Sequence, residues 1–219
     1  MDQLHHGMGN PTGPMLMRPA KAQTHAGFTL IEMVVALTIF SVLVAATVPT
    51  MRTWVQNSKV RAVADALQNG VRLARVESLR RSRQVVFALT NNPMPQTGDF
   101  TATTSGSYWA IMTIPAMTDG SETAGFVESG VLGATSANVQ VTGPAQICFN
   151  SVGRLVANGS TGVGGGTCTA PTTGTPPKSI YSIRLAGADH PLQIQVALGG
   201  QVHMCDPSQT LSRTNPYGC

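Results

Sequence analysis

From Phe28 to Val48 the chain runs for 21 residues with one charged side chain, Glu32. As a helix, a run of that length reaches about 30 Å, close to the thickness of a bilayer's hydrocarbon core. A carboxylate at the centre of such a segment costs about 2.5–3.5 kcal/mol on insertion scales, and buried charges of this kind usually have a partner and a task. The order of the surrounding signals is also unusual. An ordinary secretory signal is cut after its apolar region, at a small-residue site. Here Gly27 stands before the run, so cleavage between Gly27 and Phe28 leaves the apolar helix on the mature chain, with Glu32 five residues from the new terminus. An ordinary signal cut after Val44-Ala45-Ala46 is the alternative, and neither Glu32 nor the long leader suits it.

The stretch Gly27-Phe28-Thr29-Leu30-Ile31-Glu32 resembles the type III signal of prepilins and pseudopilins. The resemblance implies a prepilin peptidase that cuts before Phe28 and N-methylates its amine. It also implies that Glu32 neutralises the terminal amine of a neighbouring subunit, two opposite charges in low dielectric each offsetting the other's desolvation. The leader would then lie in the cytoplasm and everything after Val48 outside. Charge alone does not set this orientation, because Arg18 and Lys21 before the run are balanced by Arg52, Lys59 and Arg61 after it. The leader, residues 1–27, is long, and Met1, Met15 and Met17 are all candidate starts. It is expected to be disordered and discarded.

The remaining 192 residues suit one membrane helix and one globular domain. Charge is uneven. Between Thr50 and Arg83 eight basic side chains face only Asp65 and Glu77, whereas from Gln84 onward Arg154, Lys178, Arg184 and Arg213 face six acids. The basic character therefore belongs to the helix. All four cysteines fall in the last third, an even number that in an exported domain favours disulfides. Of three connectivities, Cys148–Cys168 and Cys205–Cys219 each close one local segment, worth about 3 kcal/mol per bridge by chain entropy. No Cys-x-x-Cys or His/Cys spacing supports a metal site, and no cofactor motif is present. Gly159–Gly166 resembles a phosphate loop only in composition, since no Gly-Lys-[Ser/Thr] follows it; it is expected to be flexible.

Along the mature chain the pattern predicts one long helix from Phe28 to about Arg83. Pro49, which removes a backbone donor, should kink or locally melt it, and pilins resemble the chain here too. Residues 28–49 form the membrane and assembly half, residues 50–83 an amphipathic half. In the latter, Val60, Val63, Ala64, Leu67, Val71 and Ala74 recur at helical spacing as a stripe for packing a sheet. Residues 84–219 read as a β-rich head. Strands are expected at 84–90, 108–114, 138–142, 146–149, 179–185, 192–198 and 201–204, with Gly199-Gly200 turning the last hairpin. The Gly/Pro/Thr-rich stretches 91–107, 158–167 and 170–177 read as loops.

The head segment Phe149-Asn150-Ser151-Val152-Gly153-Arg154, with Met204-Cys205-Asp206-Pro207 and the terminal Cys219, resembles the GspH/FimT family of minor pilins and pseudopilins. That resemblance implies an α+β, type IV pilin-like fold: a long N-terminal helix, membrane half plus amphipathic half, packed on an antiparallel β head. It implies a non-enzymatic subunit of the complex that initiates or caps a type IV pilus. Its partners would be the prepilin peptidase, other minor and major pilins and the inner membrane, with the head in the periplasm. A DNA-uptake receptor at the pilus tip and a type II secretion pseudopilin are the alternatives; the terminal cysteine pair leans toward the pilus.

Some relatives bind DNA through a Gly-Arg-x-Arg motif, but Gly199-Gly200-Gln201-Val202-His203 stands there and both arginines are missing. The other cationic candidates for nucleic acid are Arg80, Arg81 and Arg83 in the cluster that begins at Arg72 and Arg75, and Arg213 in the tail. Cations at a helix C-terminus also complement the macrodipole, which accounts for the cluster without a ligand. His190 and His203 have no nucleophile or carboxylate at recognisable spacing, and Ser151 and Ser179 sit in no elbow motif, so no catalytic residue is assigned. Trp54 suits an interfacial anchor and Trp109 a core or edge position. Mass spectrometry of the membrane fraction should find a chain beginning at N-methylated Phe28; a terminus at Thr47 would restore the ordinary signal peptide.

Overall fold

In the computed structural model, residues 27–93, 99–116, 121–132 and 138–219 are described, apart from the side chains of residues 48–50. The chain divides into two compact units, Met1–Val44 and Ala45–Cys219. The leader and the side chain of Pro49 lie outside the described residues.

Helix α1 (Leu30–Arg80) begins in the first unit. Thr29 is its N-cap: the Glu32 amide donates to Thr29 Oγ1 at 3.3 Å, and the Met33 amide closes the first full turn on the Thr29 carbonyl at 3.2 Å. Glu32 thus stands three residues after a threonine cap, where a carboxylate also complements the helix dipole. Thr38 and Ser41 return their hydroxyls to the carbonyls of Val35 and Leu37 at 2.8 and 2.7 Å, which satisfies both groups without water. α1 is long and apolar enough to cross a membrane, and its apolar window has a mean hydropathy of 2.3. The helical assignment continues through residue 49.

In the second unit α1 buries the predicted stripe, Val60, Val63, Ala64, Leu67, Val71 and Ala74, in one core with both sheets. It ends at Arg80, three residues short of the sequence expectation, for a visible reason. Ser82 takes a left-handed backbone, φ 50°, and donates to the Leu79 carbonyl at 3.2 Å while the Arg83 amide reaches back to Ser78 at 3.2 Å. These two bonds are those of a Schellman cap, with serine where glycine is usual.

Among the described residues nine strands follow: β1 (Val85–Thr90), β2 (Tyr108–Thr113), β3 (Gly125–Val131), β4 (Gln140–Thr142), β5 (Gln146–Phe149), β6 (Leu155–Val156), β7 (Lys178–Arg184), β8 (Leu192–Ala197) and β9 (Val202–Cys205). They form two antiparallel sheets, ordered β3-β2-β1-β5-β6 and β4-β7-β8-β9. The predicted strands are present with ends shifted by one or two residues. β3 and β6 were not predicted. β3, Gly-Phe-Val-Glu-Ser-Gly-Val, carries two glycines and a carboxylate, and its pairing with β2 slips at Ile111/Met112, so no alternation marks it. β6 is two residues long and is defined by its partner β5.

β1 is buried along its whole length because both faces are covered. Val85, Phe87 and Leu89 face the helix core; Val86 and Ala88 enter a second cluster with Phe100, Ala102, Ala110, Met112, Val163 and the Cys148–Cys168 pair. The glycine-rich segment expected to be flexible supplies part of that cover. Gln146, itself buried, donates Nε2 to the Val163 carbonyl at 3.0 Å and accepts from Thr161 Oγ1 at 2.7 Å, fastening the loop across the sheet. A buried, fully bonded amide is what allows so polar a loop to serve as a lid on an apolar layer.

Trp109 is a core residue, stacked on Phe87 with centroids 5.8 Å apart, and Phe87 meets Tyr181 edge to face at 6.1 Å. Room for the indole comes from Gly70 on the helix, where an added Cβ would lie 2.9 Å from Trp109 Cε2, and from Gly130 opposite it on β3. Glycine inside a helix costs about 1 kcal/mol against alanine, so this position gives up local propensity for close helix–sheet approach. The cap supplies a test in the other direction: Ser82→Gly should raise stability by about 0.5–1 kcal/mol in thermal melts, and Ser82→Val should lower it.

Candidate functional site

Three places gather the functional candidates. The first is the start of α1. Gly27 has open space around it, with nothing within 4 Å of an added Cβ, and Phe28 is 80% exposed. Leu30, Ile31, Val34, Val35, Leu37, Phe40 and Leu43 are exposed as well, an apolar surface. Glu32 is exposed among them, its backbone amide held by Thr29.

The second is the basic end of α1. Arg80 and Arg81 both clasp Glu77: Arg80 donates Nε and Nη2 at 2.9 and 2.7 Å, and Arg81 donates Nε at 2.7 Å. Hydrogen bonds from Arg80 and then Arg81 outweigh the effect of burial and pull the Glu77 carboxyl from about 4.5 down to about 2. Arg83 pairs with Glu122, and Arg75 donates Nε to the Gly153 carbonyl at 3.3 Å. Three of the four nucleic-acid candidates are thus engaged by carboxylates, and Arg213 stands exposed in the tail, away from them in sequence. Net charge along the sequence could not reveal this, because the acid that matches Arg83 comes from beyond β2.

The third is the C-terminal tail. The structure joins Cys205 to Cys219 and Cys148 to Cys168, with Cα separations of 5.2 and 5.6 Å. Asp206 organises the tail. Its Oδ1 accepts from the Ser208 amide at 2.8 Å and the Ser208 hydroxyl at 2.5 Å, and its backbone pairs with Tyr217 and Cys219. Burial pushes this carboxyl up, but bonds from Ser208 and His190 outweigh it and hold it below the ordinary aspartate range. The Asp-Pro-Ser sequence is a turn signal from which this role was readable.

His190 Nδ1 lies 3.3 Å from Asp206 Oδ2, tying the tail to the β7–β8 loop. That loop is in turn held to α1 by Asn57. Asn57 Nδ2 donates to Asp189 Oδ1 at 2.6 Å, and its Oδ1 accepts the amides of Asp189 and His190 at 3.2 and 3.3 Å. Nothing in the sequence singles out Asn57, since its partners lie about 130 positions away. Among the described residues no group of three or more metal-ligating side chains converges.

A capped apolar helix long enough to cross a membrane, continuing as an amphipathic stripe under two antiparallel sheets, defines a type IV pilin-like protein. The prokaryotic N-terminal methylation motif matches residues 23–48, and the family model for type II transport protein GspH matches residues 63–200. The chain belongs to the GspH family. No curated protein sequence matches it. Similar solved structures include the type IV minor pilin FimU of Pseudomonas aeruginosa, at 13% identity and TM-score 0.47 over 76% of this chain and 98% of that one. The minor pseudopilin EpsH from the Type 2 Secretion System of Vibrio cholerae is similar at 10% identity and TM-score 0.43, covering 69% and 99%.

The Glu77 clasp gives a prediction with a defined sign. A carboxyl whose folded value lies below its unfolded one stabilises fully above the unfolded value and loses that contribution as pH falls through the folded one. Glu77→Gln should therefore cost about 1 kcal/mol at neutral pH, discounted for the exposed arginine partners. In melts against pH, variant and parent should converge between about 4.5 and about 2.

Proposed function

We propose that this chain is a minor pilin, a structural subunit of the complex that initiates or caps a type IV pilus. In this reading residues 1–27 are the leader, removed by prepilin peptidase between Gly27 and Phe28, and the new Phe28 amine is methylated. Residues 28–49 then anchor the chain once in the inner membrane and pass into the fibre on assembly. Residues 50–83 continue as the amphipathic half of the helix, and residues 84–219 form the β-rich periplasmic head. The observation that carries the proposal is the start of α1: an exposed Phe28, a Thr29 cap and a single carboxylate at Glu32, followed by exposed apolar side chains.

Such a surface leaves bulk lipid for protein only if its one charge is neutralised on arrival, and a neighbour's terminal amine is the group the cleavage would create. Pro49 belongs to the same assembly half, as the residue that lets the helix local to it loosen during packing. The two disulfides hold the loop-rich parts of the head, Cys148–Cys168 over the sheet and Cys205–Cys219 in the tail. The chain acts as a scaffold, with no catalytic residue or cofactor assigned. DNA is a poor ligand in this reading, because Arg80, Arg81 and Arg83 are each engaged by a carboxylate, Glu77 or Glu122, which leaves the cluster a net charge of about +1.

Membership of a type II secretion machine is the second reading, favoured by the description of the matching family model. Deleting the gene separates the two: loss of surface pili supports the first, and loss of exoprotein release with pili intact supports the second. Within either assembly, Glu32→Ala should still be cleaved and inserted yet be lost from sheared fibres on immunoblot. Normal incorporation of the variant would remove the amine-pairing role.

A further inference from the structure

A groove of about 470 Å³ runs between the outer half of α1 and the last strand, lined by Arg61, Asp65, Gln68, His203, Met204 and Tyr217 among others. Two features of it are unexplained by packing. The first is Gln68. It is only 8% exposed, it borders the groove, and its amide has no hydrogen-bond partner among the described residues. Although the residue as a whole is buried, its amide atoms are not among the buried groups without a partner, so the amide opens into the groove and is available there to a ligand.

The second is the free edge of β9, the last strand of its sheet. The hairpin bond from the Ala197 amide to the Gln201 carbonyl sets the alternation. Pairs Gln195–His203 and Gln193–Cys205 exchange bonds with β8, so the N–H and C=O groups of Val202 and Met204 point outward. The next outward residue, Asp206, is already paired: its amide donates to the Tyr217 carbonyl at 2.7 Å and its carbonyl accepts the Cys219 amide at 3.2 Å. The C-terminus therefore begins a ladder along this edge at Asp206 and leaves Met204 and Val202 open.

We propose that the β9 edge and the Gln68 groove form a docking site for an extended, uncharged segment of a partner subunit, added as a strand beside β9. Outward backbone groups of Val202 and Met204 would pair with the segment's main chain, and the Gln68 amide would pair with one of its peptide units from the helix side. The lining favours this occupant. Arg61 and Asp65 offset each other, Asp206 is satisfied by Ser208 and His190, and Leu192, Met204, Pro216 and Tyr217 supply apolar contact. A polyanion such as DNA finds no net positive field here, whereas a neutral strand does not need one. Tyr217, 78% exposed at the rim, gives the aromatic surface that such contacts commonly use. The site rests on the reading of the chain as an assembly subunit, and it names the kind of contact the head makes there.

The test uses the full chain in detergent and overlapping peptides of about ten residues, long enough for one strand. These peptides span the heads of the pilin-like proteins encoded beside it, and binding is read by fluorescence anisotropy. At least one peptide should bind, and methylating alternate backbone amides of that peptide should abolish binding. Met204→Pro removes one outward donor that β8 does not use and should weaken binding about tenfold. Gln68→Leu should weaken it while leaving the melting temperature unchanged or higher, so the test survives if the proline variant misfolds. Failure of every peptide to bind, equal binding by both variants, or duplex DNA displacing the peptide would overturn the site. Fibre incorporation of the parent chain is scored in parallel. A parent that incorporates beside a non-binding edge sinks the docking site alone, and a parent that never incorporates sinks the assembly reading.

Discussion

The packing of one helical stripe against β1 and its neighbours is the interaction on which the head depends. Val60, Val63, Ala64, Leu67, Val71 and Ala74 are all buried, and they share one core with Phe87, Trp109, Tyr181 and Ile194 from both sheets. Both sheets bury their inner faces in this one core. The cost of that arrangement is visible at Gly70, where helix propensity yields to the indole of Trp109. It is visible again at Tyr181, whose hydroxyl is buried without a hydrogen-bond partner among the described residues and whose ionisation burial suppresses strongly. Gly143 makes room for that ring, since a Cβ there would sit 2.3 Å from Tyr181 Cδ1.

Outside this core a second apolar cluster covers the other face of β1, and polar and covalent fasteners hold the loops. Gln146 and the Cys148–Cys168 bridge hold the glycine-rich lid, and Asp206 and the Cys205–Cys219 bridge hold the tail. Asn57 holds the β7–β8 loop to the helix. A chain with 11% charged residues has few ion pairs to spend on loops, and amide bonds and disulfides take their place. The ion pairs it has are concentrated at the end of α1. There Glu77 holds Arg80 and Arg81, and Glu122 holds Arg83.

Much of this was readable from residues alone. The Gly27–Glu32 signal, the apolar run, the stripe from Val60 to Ala74 and most strands each rest on a pattern local in sequence, and local patterns survive translation into structure. The errors were also local in origin. Ser82 ended the helix early by a left-handed turn that no glycine announced, and β3 escaped notice because glycines and Glu128 break its alternation. The loop at residues 159–166 looked flexible because glycine content says nothing of a buried Gln146 reaching across to Val163.

By itself, then, the sequence determined the processing signal, the membrane-length helix, the amphipathic continuation and a strand-rich head with four cysteines. These follow from residue spacing and from the cost of placing apolar or charged groups in the wrong solvent. Only the tertiary structure decided which arginines keep their charge available, which loop closes over the sheet, and which strand is left with an open edge. Those outcomes join residues separated by tens of positions, such as Arg83 with Glu122, Asn57 with Asp189, and Gln68 with the β9 groove. Their energies depend on burial and on distances of a few ångströms, and neither quantity exists until the chain has folded.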